Sequence, residues 1–316
     1  MILEVQHETR LTYSAPVTEA VAEVRVEPAS NADQSCRSFA LTIYPATETF
    51  RYQDGLGNGA HHFNVLAPHQ EVRILAASVV ETHPRPRELT TYHIRYPLDL
   101  DGAELDVLDF LKLRGPLRPT PRLLPLLERL RPQQGTPLGE VVLRVSEHIH
   151  RHYEYAPDVT LANSPIDDVL EQGKGVCQDF THLMLAILRS FGIPARYVSG
   201  YIHRPNEESQ SHAWCEVWLP ECGWVGIDPT NDQLVNDHFV KVAIGRDFTD
   251  VPPNKGTYRG EAQERIFVRV ETRTLGCLPS RAWQEQLPPL HVPLTAIVPR
   301  QRFGLPQQDE EPQQQQ

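Results

Sequence analysis

The sequence lacks the features that mark several classes of protein. No apolar run approaches the eighteen or so residues that span a bilayer, and the start, MILEVQHETRLTY, alternates like a strand and lacks the basic start and apolar core of a signal peptide. The 30 lysines and arginines are outnumbered by 41 acidic residues, giving a formal charge of −11. Nucleic acids and anionic membranes would repel such a chain, so we expect neither as a partner.

Cysteine is scarce, and its spacing is irregular. The five cysteines are an odd number without paired short spacings, which fits a reducing compartment better than a disulfide framework. We therefore expect a cytoplasmic protein. With 316 residues, 40% of them hydrophobic, the chain is long enough for two domains and a sizeable core.

One cysteine, Cys177, stands where a helix is predicted to begin. A glycine precedes it, and an apolar-rich stretch from Phe180 to Phe191 follows, closed by a glycine and a proline. The unpaired N–H groups and positive dipole end of a helix N-terminus favour a thiolate. His212 in SHAWCEVW and Asp228 in WVGIDPTN follow in chain order. A thiol nucleophile needs a base, and the base needs an acceptor that orients it, so these three residues are candidates for such a set.

Two of the candidates fall on a predicted hairpin, whose register decides whether they meet. Period-two alternation puts His212 on the same face as Trp214 and Trp218. His212 and Asp228 become neighbours if even positions pair with even ones, for instance Trp214 opposite Asp228, which leaves a five-residue loop at 219–223. An odd register would put them on opposite faces.

The remainder of the chain divides into three regions. Short alternating runs from Leu3 to about Thr82, broken by turn signals, predict an antiparallel β-sandwich or an open barrel. Prolines recur from position 84 to 137 and leave room only for short helices near Asp106 and Leu123. We interpret this second region as a connector.

Helices and a last strand are predicted for the third region. Thr136 is expected to cap a helix that starts with proline, and Ser164 is expected to cap a shorter helix that ends at Gly173. A strand-like RIFVRVET near Ile266 is expected to rejoin the core sheet, and the polar end, PQQDEEPQQQQ, is expected to be disordered. The predicted boundaries are 1–83 for the β-domain, 84–136 for the connector, 137–275 for the catalytic core and 276–316 for a C-terminal extension.

A resemblance to a known family rests on two long segments. GVCQDFTHLMLAILRSFGIPARYVSGY and SHAWCEVWLPECGWVGIDPTN resemble the transglutaminase-like core of bacterial proteins, from about Tyr153 to Asn231. The first eighty or so residues, through HETRLTYSAPV and FRYQDGLGN, resemble the β-rich domain that often precedes this core. Together the resemblance covers roughly two thirds of the chain. It implies an α+β protein with a papain-like fold and a Cys, His, Asp triad at Cys177, His212 and Asp228.

The chemistry implied by such a triad is acyl transfer from an amide. Asp228 would fix the tautomer of His212, and the thiolate of Cys177 would attack a carboxamide of a peptide or protein substrate to give a thioester. The backbone N–H of Cys177 would stabilise the oxyanion, while a second donor is not identified. Attack of water on the thioester completes a peptidase, isopeptidase or deamidase reaction, whereas attack of an amine completes a transglutaminase reaction. We favour the reaction with water. A non-catalytic binding protein that retains the triad is the alternative from another class.

Other residues allow two interpretations each. Trp214 and Trp218 could grip a substrate near His212, although a tryptophan on a strand is usually core. His148 and His152 in HIHRH are spaced like a zinc pair, but no third ligand stands at a motif spacing, so a solvated face is preferred. We therefore expect neither a metal nor a cofactor. Cys215 is predicted to be core, and no chemistry is assigned to it or to Cys36, Cys222 and Cys277.

Overall fold

The computed structural model describes residues 1–84, 89–157, 164–205, 210–220 and 222–278, together with a short strand at 298–299. The α-helices within this part are α1 (Leu105–Asp109), α2 (Leu124–Leu130), α3 (Leu138–His152), α4 (Ile166–Gln172) and α5 (Cys177–Ser190). The strands are β1 (Ile2–Val17), β2 (Glu19–Val24), β3 (Gln34–Tyr44), β4 (Thr49–Gln53), β5 (Gly59–Val65), β6 (His69–Thr82), β7 (Glu154–Tyr155), β8 (Lys174–Gly175), β9 (Ala195–Ile202), β10 (Gln210–Leu219), β11 (Gly223–Asp228), β12 (Gln233–Leu234), β13 (Phe239–Gly245), β14 (Asn254–Arg259), β15 (Glu264–Thr274) and β16 (Val298–Pro299).

The N-terminal strands form two antiparallel sheets that share one apolar core. One sheet has the order β16-β15-β1-β6-β3, and the other has the order β14-β2-β5-β4. Alternate residues of β2, namely Ala20, Ala22 and Val24, are buried, as period-two alternation requires of a strand with one covered face. They meet Phe63 and Ile74 from the strands β5 and β6 in the shared core. The predicted β-sandwich is confirmed.

The predicted helices form close to the expected positions. α1 and α2 lie in the proline-rich region, and α4 is stopped by Gly173, whose φ of 66° is a conformation that glycine adopts readily. α3 and α4 each begin one residue later than predicted. The proline that was expected at the first helical position is the N-cap residue in both helices, and no side chain caps either helix. Among the described residues, none of the helices is both long enough and apolar enough to cross a membrane.

The second half of the chain builds a helix-on-sheet core. Its antiparallel sheet has the order β12-β11-β10-β9-β13. α5 packs on β9 and β10, and it also contacts α3 and α4. Every residue of α5 from Asp179 to Arg189 is buried, so the helix is covered all round. The predicted α+β fold, with a helix that starts at Cys177 packed on an antiparallel sheet, is confirmed.

The prediction that the strand near Ile266 rejoins the core sheet is wrong. β15 pairs antiparallel with β1, from Leu3 opposite Thr274 to Tyr13 opposite Glu264, and β14 pairs with β2. Alternation identifies a strand and its two faces, but it carries no information about which sheet edge receives it. The predicted range 137–275 thus includes two strands of the N-terminal sandwich. The prediction of disorder for the polar end concerns residues outside the described part of the chain.

Two amide side chains of the sandwich bind the backbone of edge strand β13. Gln34 Nε2 donates to the carbonyl of Lys241, and its Oε1 accepts from the N–H of the same residue, both at 2.8 Å. Asn58 does the same at Ile244, donating at 2.9 Å and accepting at 2.8 Å. Asn58 thereby satisfies a donor and an acceptor of the edge strand, and Gln34 satisfies the N–H of Lys241, whose carbonyl also accepts from the N–H of Ala29 at 3.0 Å.

Candidate active site

Cys177 is the first residue of α5, and its neighbours hold the start of the helix in place. The preceding residue, Val176, is extended, with φ −113° and ψ 178°. Its N–H donates to Oδ2 of Asp179 at 2.9 Å, and Oγ1 of Thr181 donates to the carbonyl of Cys177 at 2.7 Å. A Cβ on Gly175 would lie 2.9 Å from the Asp179 side chain, so glycine is required there. The thiol is thus presented, partly exposed, at a fixed helix N-terminus.

The hairpin of β10 and β11 has the even register that brings His212 and Asp228 together. Cys215 pairs with Ile227 and Trp218 with Trp224, so the next even pair is Trp214 with Asp228. Nε2 of His212 lies 2.8 Å from Oδ2 of Asp228. The predicted register is confirmed, but pairing continues to Leu219 opposite Gly223, so the loop is shorter than expected.

The pKa values of the pair are shifted in opposite directions by their mutual contact. Burial by itself would raise the pKa of Asp228, but hydrogen bonds from His212, Asn231 and the N–H of Thr230 outweigh it and lower the pKa. Burial likewise would lower the pKa of His212, whereas its contacts with Asp228 and Cys177 raise it to about 10. Near neutral pH the imidazole is therefore protonated, and the carboxyl is ionised.

The imidazole connects the carboxylate to the thiol. Cys177 is one of the groups that raise the pKa of His212, so the thiol and the imidazole interact electrostatically. Because Nε2 is engaged by Asp228, Nδ1 is the ring nitrogen left for interaction with the thiol. His212 is 7% exposed and Asp228 is fully buried, so water competes little for these bonds. The structure thus brings the three predicted residues together from a helix and two strands.

The turn after Asp228 carries hydrogen-bond partners that were not predicted from the sequence. Oδ1 of Asp228 accepts from the N–H of Thr230 at 2.9 Å, and Oδ2 accepts from Nδ2 of Asn231 at 2.5 Å. Nη2 of Arg204 donates to Oδ1 of Asn231 at 2.9 Å. Asn231 stands in the motif DPTN, three residues after Asp228, a spacing that indicates a local hydrogen bond. No comparable signal marks Arg204, which follows β9.

The HIHRH segment anchors this same turn. Nδ1 of His150 donates to the carbonyl of Thr230 at 2.8 Å.

His148 and His152 stack with ring centroids 4.0 Å apart, and burial lowers the pKa of His148 to about 4. The predicted solvated face is therefore wrong for His148, because that ring packs against the protein. Among the described residues, no group of three possible metal ligands is present.

Neither predicted tryptophan is placed to contact a substrate at the thiol. Trp214 is fully buried, with its ring centroid 6.3 Å from that of His212 and 5.3 Å from that of Phe239. Trp218 lies six residues from His212 along β10, which is about 20 Å in a strand. The two share a face of the strand as predicted, but that face is covered at Trp214 and too distant at Trp218. Trp214 instead supports the ring of His212.

Tyr155, which was not predicted as a site residue, lies near the thiol. It is 47% exposed on β7, and its pKa is raised by partial burial and then by the charge of Cys177, while Arg204 acts in the opposite direction. Its ring packs edge-on against Phe180 with centroids 6.5 Å apart.

The other cysteines lie elsewhere: Cys215 is buried in the core, as predicted, and burial raises its pKa.

The site combines a cysteine at a helix start with a histidine and a carboxylate on an antiparallel sheet. The family model of the transglutaminase-like superfamily matches residues 126–229, and that of the bacterial transglutaminase-like N-terminal region matches residues 3–81. An uncharacterized protein of Mycobacterium leprae is 34% identical over 297 residues, which cover 86% of this chain and 99% of that protein. This chain therefore belongs to the transglutaminase-like superfamily, whose members are generally cysteine-dependent enzymes.

Two further similarities concern the fold and the core. The crystal structure of a proposed cysteine protease from Cytophaga hutchinsonii superposes with a TM-score of 0.71 at 21% identity, covering 88% of this chain and 93% of that chain. A protein-glutamine gamma-glutamyltransferase of Pseudomonas aeruginosa is 31% identical over 133 residues, which cover 37% of this chain and 19% of that protein. The first similarity extends over both domains, and the second is confined to part of the chain.

Proposed function

We propose that this protein is a thiol-dependent enzyme that acts on amide bonds of a peptide or protein. In this proposal Cys177 is the nucleophile, His212 transfers protons, and Asp228 orients His212. The supporting observation is the series of Cys177, His212 and Asp228, in which His212 lies 2.8 Å from Asp228 and Cys177 helps to raise the pKa of His212. Residues in such a series act as one unit, which a purely structural role would not require.

The first half of the reaction forms a thioester. The thiolate of Cys177 attacks the amide carbonyl carbon, a C–S bond forms, and the carbonyl π electrons move to the oxygen. The backbone N–H of Cys177, at the N-terminus of α5, donates to this oxyanion. As the C–N bond breaks, the imidazolium of His212 gives its Nδ1 proton to the leaving nitrogen, which departs as ammonia or an amine.

The second half releases the acyl group. Neutral His212 takes a proton from water at Nδ1, and the resulting hydroxide attacks the thioester carbonyl. The C–S bond breaks, a carboxylic acid leaves, and the thiolate–imidazolium pair is restored. Asp228 keeps the Nε2 proton of His212 in place throughout, so Nδ1 is always the nitrogen that exchanges protons with the reacting atoms.

We favour hydrolysis of a peptide or isopeptide bond, or deamidation of glutamine, over crosslinking. Water needs no binding site of its own, whereas transfer to an amine requires a second site that holds the amine beside the thioester. The second candidate is a transglutaminase, favoured by the partial similarity to the glutamyltransferase of Pseudomonas aeruginosa. Both reactions use the same thioester and differ only in the nucleophile that resolves it.

Brief treatment with iodoacetamide at about pH 6, read by mass spectrometry of the native protein, tests the proposed pair. Selective labelling of Cys177 that is lost in His212→Ala supports an activated thiolate. Equal, slow labelling in both proteins would contradict the enzyme proposal and favour a binding protein that retains the three residues. The unreactive control is Cys215, which is fully buried in the same core.

A second assay separates hydrolysis from transfer. Glutamine-containing peptides are incubated with and without a primary amine, and both ammonia release and peptide mass are followed. Ammonia with conversion to glutamate indicates deamidation, whereas an amine adduct indicates transamidation. Cleavage of a lysine–glutamine isopeptide without ammonia release indicates an isopeptidase.

We also propose that the protein resides in the cytoplasm. All five cysteines are free, as expected in a reducing compartment. Cell fractionation with antibody detection tests this, and recovery from a periplasmic or extracellular fraction would contradict it.

A further inference from the structure

The aspartate of the proposed triad is held by side chains outside the triad. Asn231 Nδ2 lies 2.5 Å from Oδ2 of Asp228, the same oxygen that contacts Nε2 of His212 at 2.8 Å. Arg204 Nη2 in turn donates to Oδ1 of Asn231 at 2.9 Å. Arg204, Asn231, Asp228 and His212 thus form one hydrogen-bonded series that ends at the imidazole.

The chemistry of the arginine determines the direction of this series. A guanidinium has only donors, so it must face the oxygen of the Asn231 amide and not the nitrogen. The nitrogen of that amide is therefore turned toward Asp228, where it donates to the carboxylate. An asparagine turned the other way would present its oxygen to a carboxylate, which is repulsive. Arg204 thus selects the orientation in which Asn231 stabilises the ionised form of Asp228.

We propose that Asn231 and Arg204 are positioning residues of the triad: Arg204 orients the Asn231 amide, and Asn231 holds Asp228 as the acceptor that orients His212. The inference rests on the proposed function, because the pair has this purpose only if Cys177 reacts through His212. Asp228 is fully buried, and a buried carboxylate needs such donors to remain ionised.

The turn that carries Asn231 is anchored independently of its side chain. Ser146 Oγ on α3 donates to Oδ1 of Asp232 at 2.6 Å, and His150 from the same helix bonds the carbonyl of Thr230. Asp232 has a φ of 50°, an uncommon value outside glycine, which these contacts hold in place. Removal of the Asn231 side chain therefore leaves the backbone anchored. Among the contacts of this turn, the ionisable groups are His212 on Asp228, Arg204 on Asn231, His150 on Thr230, and Asp232 itself.

The test is the pH profile of Cys177 alkylation by iodoacetamide in the full-length protein. Loss of a donor to a buried carboxylate raises the pKa of that carboxyl. We therefore expect the acid limb of the profile, the range in which alkylation slows as pH falls, to move to higher pH by about one unit in Asn231→Ala. Asn231→Asp keeps the shape but places a second carboxylate beside Asp228, so its shift is larger. A residue that only supports the fold would lower the rate at every pH and leave the limb in place.

Arg204 is tested in the same way. Arg204→Met removes the donor to Asn231 and is expected to move the acid limb in the same direction. Arg204→Lys keeps a donor, so its acid limb is expected to lie closer to the wild-type pH. Asn236→Ala is the matched control, since this exposed asparagine accepts from the N–H of His238 and lies outside the series. If the Asn231 variants do not fold, Arg204→Met decides the question.

Failure of the inference is distinguishable from failure of the proposed function. The positioning role alone would be overturned by two results together. The acid limb would stay at its wild-type pH, within error, in Asn231→Ala, Asn231→Asp and Arg204→Met, while His212→Ala would abolish rapid alkylation. Equal alkylation of wild type and His212→Ala would overturn the proposed function and this inference with it.

Discussion

Nε2 of His212 lies 2.8 Å from Oδ2 of Asp228, across the hairpin of β10 and β11. The contact exists because even-numbered residues pair with even-numbered residues in this hairpin, which puts both side chains on one face. A slip of one residue would move Asp228 to the other face and leave the imidazole without an acceptor. The proposed chemistry therefore depends directly on the register of one hairpin.

Replacement of Asp228 by asparagine is expected to preserve the fold and remove most activity. An amide can donate to Nε2 and so favours the tautomer with its proton on Nδ1, the nitrogen left for interaction with the thiol. We expect turnover to fall on the order of 10³- to 10⁴-fold, and alkylation of Cys177 at about pH 6 to slow at least tenfold. Asp237→Asn, at an exposed carboxylate, is the matched control. Wild-type rates in Asp228→Asn would remove this residue from the mechanism.

The stability contributed by His212 is expected to depend on pH. Its pKa is raised in the folded protein to about 10, so the stabilisation is fully present below the unfolded value of 6.5 and is lost as pH rises through about 10. Urea unfolding of wild type and His212→Gln at pH 6 and at pH 10.5 measures this. The variant should lose more free energy of unfolding at pH 6, by at least about 1 kcal/mol. An equal loss at both pH values would contradict the raised pKa.

Gly200 is expected to tolerate no side chain. It pairs with His212, and a Cβ there would lie 2.1 Å from the carbonyl oxygen of Val240 and 2.6 Å from Cη2 of Trp214. Gly200→Ala should reduce the free energy of unfolding by about 2 kcal/mol or more and slow Cys177 alkylation, because Trp214 supports His212. The control is Gly55→Ala, where a Cβ meets nothing within 4 Å. Thermal unfolding that is unchanged in Gly200→Ala would argue against this packing.

The attachment of the sandwich to β13 is expected to depend on the two amide side chains. Asn58→Ala leaves the N–H and carbonyl of Ile244 without these partners. Gln34→Ala does so for the N–H of Lys241, whereas the carbonyl of Lys241 keeps the N–H of Ala29. Each change should cost about 2 kcal/mol of unfolding free energy, measured by urea titration. Asn64→Ala is the comparison, since its buried Oδ1 has no hydrogen-bond partner. Similar costs for all three variants would show that the backbone contacts are unimportant.

Local patterns in the sequence predicted much of the fold and the candidate triad. The apolar stretch after Cys177 predicts α5, and alternation around His212 and Asp228 predicts the hairpin faces, because helix and strand periods are local properties. Asn231 was within reach of the same reasoning, since its distance from Asp228 along the chain is short. The pairing of β15 with β1 could not be predicted in this way, because an alternating strand can pair with the free edge of any sheet.

The sequence by itself determined the chain order of Cys177, His212 and Asp228, the helix that begins at the cysteine, and the strands that carry the other two. Only the tertiary structure decided that Arg204 orients Asn231, that α3 anchors the turn after Asp228, and that Trp214 is buried behind His212. The first two contacts join residues 27 and 80 positions apart in the chain, and Trp214 is covered by Phe239, 25 positions further on. They follow from packing between elements, whereas periodicity reports only how each element presents its own faces.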